Sequence, residues 1–204
     1  MKKYELTSET KTIFGKKLYR IRALVDVGNT VKAGDLGGYI ESEYNLSQDG
    51  NAWVYGNAKV YGNAWVSGDA LVSGNALVYG DAWVYGNAWV SGDARVSGDA
   101  RVYGNALVSD NARVSGDARV CGDARVCGDA WVSGNASIYW ISNIGSRNDT
   151  TTFFRTKDGI SVACGCFFGT IDKFAEAVNK THGDNEHGQV YRLAIEIAKT
   201  KIKE

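Results

Sequence analysis

From Asn51 to Ile138 the chain repeats every six residues as Asn/Asp-Ala-x-Val-(Tyr/Ser/Cys)-Gly, fifteen times and without an insertion. A unit this short, with one strand and one corner, has no way to bury its apolar face by itself, so successive units must wind and stack. Ala and Val lie two residues apart and share one face of an extended strand, while the variable residue between them faces the other way. One face is core and the other solvent. The Gly-Asn or Gly-Asp pair supplies the corner, because these residues tolerate left-handed backbone. Only Asp110 interrupts the glycine series.

The run beginning Asn51-Ala52-Trp53-Val54-Tyr55-Gly56 resembles the hexapeptide-repeat family over the whole array. The resemblance implies an all-β fold, a left-handed parallel β-helix of about five regular triangular coils, each made of three hexads. At about 4.8 Å per coil the prism would stand roughly 24 Å tall. The resemblance further implies parallel homotrimers packed along their helix axes. Upstream, Leu18-Tyr19-Arg20-Ile21, Gly34-Asp35-Leu36-Gly37-Gly38-Tyr39-Ile40-Glu41-Ser42 and Asn45-Leu46-Ser47, running directly into hexads, look like a group of prophage-encoded hexapeptide-repeat proteins. That likeness brings no activity to these positions. It suggests a host-cell cytoplasmic setting and, by analogy, sequestration of a host nucleotide signal.

With three hexads per coil, the first face carries Trp53, Leu71, Trp89, Leu107 and Arg125, the second Lys59, Leu77, Arg95, Arg113 and Trp131, and the third Trp65, Trp83, Arg101, Arg119 and Ser137. The first face is the most apolar, so Trp53, Leu71, Trp89 and Leu107 are the expected oligomer seam; the plainer alternative is that aromatic residues merely suit sheet surfaces. Along the prism, aromatics give way to arginines. Trp83, Arg101, Tyr103 and Arg119 should be neighbours, and arginine beside aromatic rings suits a planar anionic ligand. The alternative is a solvated face with each arginine paired to a corner aspartate such as Asp99 or Asp117.

The flanks break the period. Residues 1–50 read as a hairpin and an irregular coil that covers the first strand edges. Residues 51–140 are the β-helix, and 141–204 form a small α+β unit of two strands and two helices. Its hairpin runs through Lys157-Asp158-Gly159, a first helix spans Ile171 to Lys180, and a second buries Val190, Leu193, Ala194 and Ile197. With Phe154 in the core, Arg155 turns outwards and, with the free amides of the first helix, offers an anion site. In the competing account Thr170 caps that helix and Arg155 pairs with a surface carboxylate.

Lys+Arg and Asp+Glu both number 23, which removes the bulk attraction behind non-specific nucleic-acid or membrane binding, so neither is an expected partner. Met1-Lys2-Lys3-Tyr4-Glu5-Leu6 lacks the apolar run of a signal peptide, and no run reaches transmembrane length. Four cysteines then read as reduced thiols in a cytosol. No cofactor is expected. The family's acyltransferases, which use a histidine base, are the enzymatic alternative, but the repeat holds no histidine and His182 and His187 lie beyond it; a purely structural or protein-interaction scaffold is a third reading. Cys164-Gly165-Cys166 with His182 and His187 invites zinc, although the spacing is tight and two buried strand cysteines explain it more simply. Asp81, Asp99 and Asp117 stack on one corner and invite calcium, or simply cap their own turns.

Overall fold

The computed structural model describes residues 2–202. Strands β4 to β17 are fourteen two-residue strands at six-residue spacing, from Trp53–Val54 to Trp131–Val132. They stack into three parallel sheets, one for each expected face. Trp89 pairs in register with Leu71 and Leu107, Arg95 with Leu77 and Arg113, and Arg101 with Trp83 and Arg119. The protein is therefore a three-sided β-solenoid of about five turns. Every repeat alanine and valine from Ala52 to Val132 is buried, at 0–1% exposure.

The corners need glycine because adjacent coils nearly touch. At Gly104 the backbone has φ of +71°, and a β-carbon would stand 2.9 Å from the nitrogen of Gly122 one coil on. Asp110 takes the same left-handed conformation, with φ of 58°. Its carboxylate compensates by accepting the Gly128 N–H at 2.9 Å. Corner amides also bond along the stack, as when Asn63 donates to Asp81 at 3.0 Å and Asn105 to Asp123 at 2.9 Å.

The stack has a direction. Trp53 N–H donates to the Ala70 carbonyl, and Tyr55 N–H to that of Val72. The first coil therefore presents carbonyls with no coil before them, and the last presents N–H groups with no coil after them. Side chains of matching polarity meet each edge. At the first, Lys3 Nζ donates to the carbonyls of Gly50 and Ala52, and Asn45 Nδ2 to those of Gly62 and Ala64. Backbone N–H groups of the irregular coil add to this, Tyr39 donating to Ala58, Glu41 to Val60 and Ser47 to Val66. At the last edge, Asn135 Oδ1 accepts the Arg119 N–H at 2.9 Å and Thr152 Oγ1 that of Arg125 at 3.0 Å.

In the N-terminal segment β1 (Tyr4–Ile13) and β2 (Lys16–Ala23) form an antiparallel hairpin, β3 (Leu36–Ile40) pairs antiparallel with β2, and β3 pairs parallel with the Lys59–Val60 strand. This extends the second face. The fifteenth hexad departs from the repeat. Gly134 is extended, with φ of 173°, so no left-handed corner forms there; residues Asn135–Ser137 make a 3-10 turn and Ala136 is exposed.

The C-terminal unit has four strands where two were expected: β18 (Ile138–Ile144), β19 (Asp149–Thr156), β20 (Gly159–Cys164) and β21 (Phe167–Thr170), followed by α1 (Ile171–His182) and α2 (Glu186–Lys201). The added strands flank the predicted hairpin. One face of this antiparallel sheet closes the solenoid core with Ile138, Phe154 and Ala163. The other carries Phe153 and Val162 against Phe174, Val178 and Tyr191 of the helices. Helix α2 buries Tyr191, Ala194, Ile195 and Ala198, whereas Leu193 and Ile197 are exposed at 64% and 40%. The expected face is thus rotated, because Tyr191 fills the sheet-facing position that was given to Leu193.

Candidate ligand-binding site

The third face and the corner after it bring most of the expected residues together. Trp65 and Trp83 meet edge to face with ring centres 5.4 Å apart, and the Arg101 guanidinium lies 5.3 Å from the Trp83 ring centre. Arg119 follows Arg101 in register. On the corner, Tyr85 and Tyr103 stack with centres 4.9 Å apart and planes within 1°. Cys121 occupies the same corner one coil later. Contact with the Cys121 thiol and then burial raise the Tyr103 phenol above its ordinary pKa, so the two share one wall.

Among the described residues neither Arg101 nor Arg119 forms an ion pair within 4.0 Å. The six pairs found lie in the flanks, such as Lys16–Glu41 and Arg192–Asp184. Pairing with Asp99 or Asp117 therefore does not account for these arginines. Their charge remains available to a ligand.

A cleft of about 640 Å³ opens where the last coil meets the C-terminal unit, lined by Tyr103, Arg119, Cys121, Tyr139, Trp140 and Lys201 among others. Its size falls in the range of small-molecule sites. Sequence reasoning found Tyr103 and Arg119 but missed Tyr139, Trp140 and Lys201. The two aromatics end the fifteenth hexad, in β18, and were legible there; Lys201 arrives only because α2 docks back on β18.

Arg155 stands elsewhere. Strand β19 is covered on both sides, so burying Phe154 in the solenoid core turns Arg155 towards the helix layer rather than into open solvent, and it is half-buried. It lines a separate cleft of about 690 Å³ with Lys157, Asp158, Thr170, Asp172 and Lys199. Thr170 Oγ1 caps α1 by accepting the Lys173 N–H at 3.4 Å, and Asp172 adds a negative charge to the first turn. That cleft carries both signs of charge.

The seam residues also divide. Trp53 is 1% exposed beneath Tyr4, whose ring meets it edge-on at 6.2 Å, so the N-terminal strand removes it from the surface. Leu71, Trp89 and Leu107 remain as an outward column, with Trp89 47% exposed and its indole donating to Ser73 at 2.9 Å. Cys164 is half-buried at the end of β20, bonded by the Thr151 hydroxyl at 3.1 Å, whereas Cys166 is exposed in the turn made by Gly165. They are not two buried strand cysteines, because the strand ends between them. Among the described residues no group of three or more His, Cys, Asp or Glu side chains is placed to hold a metal ion. No described helix is long and apolar enough to cross a membrane.

Three parallel sheets joined by regular glycine corners define a repeat β-solenoid, a β-helix class of protein. Within that class, the family model described as YdcK Beta solenoid repeat matches residues 52–68, 70–86, 94–110, 100–116, 108–122 and 118–134, so the chain is similar to that family over those stretches. Comparison with curated proteins gives no match.

Proposed function

We propose that the protein is a non-catalytic binding module that holds a small anionic, nucleotide-like ligand in the cleft of Tyr103, Arg119, Trp140 and Lys201. One observation carries this reading: Arg119 and Lys201, two cations with no ion-pair partner among the described residues, meet aromatic side chains in one cleft. Guanidinium and ammonium groups bind phosphate oxygens, and aromatic faces hold a planar ring. Arg101 and Trp83 extend the same surface one and two coils earlier, respectively. The module acts as a homotrimer through Leu71, Trp89 and Leu107, in keeping with the hexapeptide-repeat resemblance. The likeness to prophage-encoded repeat proteins points to sequestration of a nucleotide signal in the host cytoplasm as its task.

Calorimetric titration with adenosine monophosphate tests the reading. Arg119→Ala should weaken binding at least about tenfold, the loss of one charge-assisted contact, with melting unchanged and the nucleotide recovered intact. Equal affinity for both proteins, or conversion of the nucleotide, overturns it.

A further inference from the structure

The corner after the third face carries Ser67, Tyr85, Tyr103 and Cys121 on successive regular coils, and the equivalent place in the irregular fifteenth hexad is Tyr139. Tyr85 stacks on Tyr103 at 4.9 Å with planes within 1°, a spacing set by the rise from one coil to the next. The hydrogen bond from Tyr85 N–H to the Val102 carbonyl and that from Tyr103 N–H to the Val120 carbonyl show the same step continuing to Cys121. A tyrosine at position 121 would therefore lie on Tyr103 as Tyr103 lies on Tyr85. Cysteine leaves that place without a ring.

The chain beyond Cys121 walls the place in. A β-carbon on Gly122 would stand 3.5 Å from the Trp140 indole nitrogen, which puts the indole on the far side of the corner from Tyr103. Tyr139 and Lys201 complete the wall, and Arg119 borders it on the third face. Cys127, the other repeat cysteine, has no such setting: Ser73, Ser91 and Ser109 separate it from Tyr55, the one tyrosine of its column, and burial pushes its thiol up to about 11.

We infer that the cleft admits a planar heteroaromatic ring at the Cys121 level, as the third member of the Tyr85–Tyr103 stack, with the ligand's phosphate on Arg119 and Lys201. This rests on the anion-binding reading and adds the ligand class, a nucleoside phosphate rather than a sugar phosphate. The ring supplies the stacking that the chain omits, and stacking of this kind is sequence-tolerant among bases because each has a π-face.

The test uses the full-length protein with adenosine monophosphate and ribose 5-phosphate as probes. Wild type should bind the nucleotide about tenfold or more tightly than the sugar phosphate. Cys121→Tyr should remove that preference by filling the ring's place, while Cys121→Ser keeps it. On the wild-type protein, the nucleotide but not the sugar phosphate should slow alkylation of the Cys121 thiol, a readout that stands even if the tyrosine variant fails to fold. Equal binding of the two probes, or unchanged alkylation at nucleotide saturation, overturns the ring placement and leaves the anion reading standing. Failure of both probes to bind wild type overturns both.

Discussion

The Lys3 ammonium donates to the Ala52 carbonyl at 2.9 Å from a position only 4% exposed. A cation is thereby spent on the acceptor edge of the first coil, where a neutral donor would have less reach. Burial lowers its pKa from 10.5 to about 8, against the smaller opposing attraction of Asp49 and Asp69. Between those values the unfolded chain holds a proton that the folded one has released, so folding stability contributed by this group rises with pH.

Lys3→Met isolates that contribution. From pH 8 to pH 10 the stability of wild type relative to the variant should increase, by no more than about 3 kcal/mol, as read from urea melts at each pH. A difference that stays constant or falls over this window contradicts the buried-cation account. Comparison with the variant matters because the Cys127 thiol, raised to about 11, works in the opposite sense as pH climbs.

At the opposite edge, Thr152→Val removes the acceptor for the Arg125 N–H while nearly preserving shape at a fully buried site. The loss should be about 1–3 kcal/mol, the cost of a buried donor without a partner. Thr152→Ser, which keeps the oxygen, should recover most of it. Equal stability of the valine and serine variants in urea melts would show that the contact contributes only packing.

Trp89 and Trp53 share one sheet but should respond differently to the same change. Trp89→Glu should give monomers by light scattering with melting nearly unchanged, since a charge would be desolvated at an apolar seam. Trp53→Glu should instead unfold the N-terminal coil, at a cost of about 3–5 kcal/mol, because Tyr4 covers it. An unchanged mass for Trp89→Glu sinks the seam assignment.

The solenoid was legible because every hexad repeats the same choice: Ala and Val inwards, a variable residue outwards, glycine at the corner. Face membership followed from counting by threes, and the sheets group Trp53, Leu71, Trp89 and Leu107 as that count requires. What local pattern does not encode is which surface the flanks cover. Trp53 looks like Trp89 in sequence, yet Tyr4, more than forty residues upstream, buries it. Strand alternation likewise assigned Arg155 to solvent by assuming one buried face, whereas Phe153 and Phe154 are both fully buried on opposite faces of β19. For the site, Tyr103 and Arg119 came from the repeat itself, but Lys201 joins them only through the packing of α2, a contact no period announces.

Hydrogen exchange measured with and without saturating adenosine monophosphate tests the central claim that the ligand sits where the last coil meets the C-terminal unit. The account predicts added protection at 103–104, 119–122 and 138–140, with little change at 155–159 and 170–173. Protection centred on the Arg155 cleft, or none in the repeat, would contradict it.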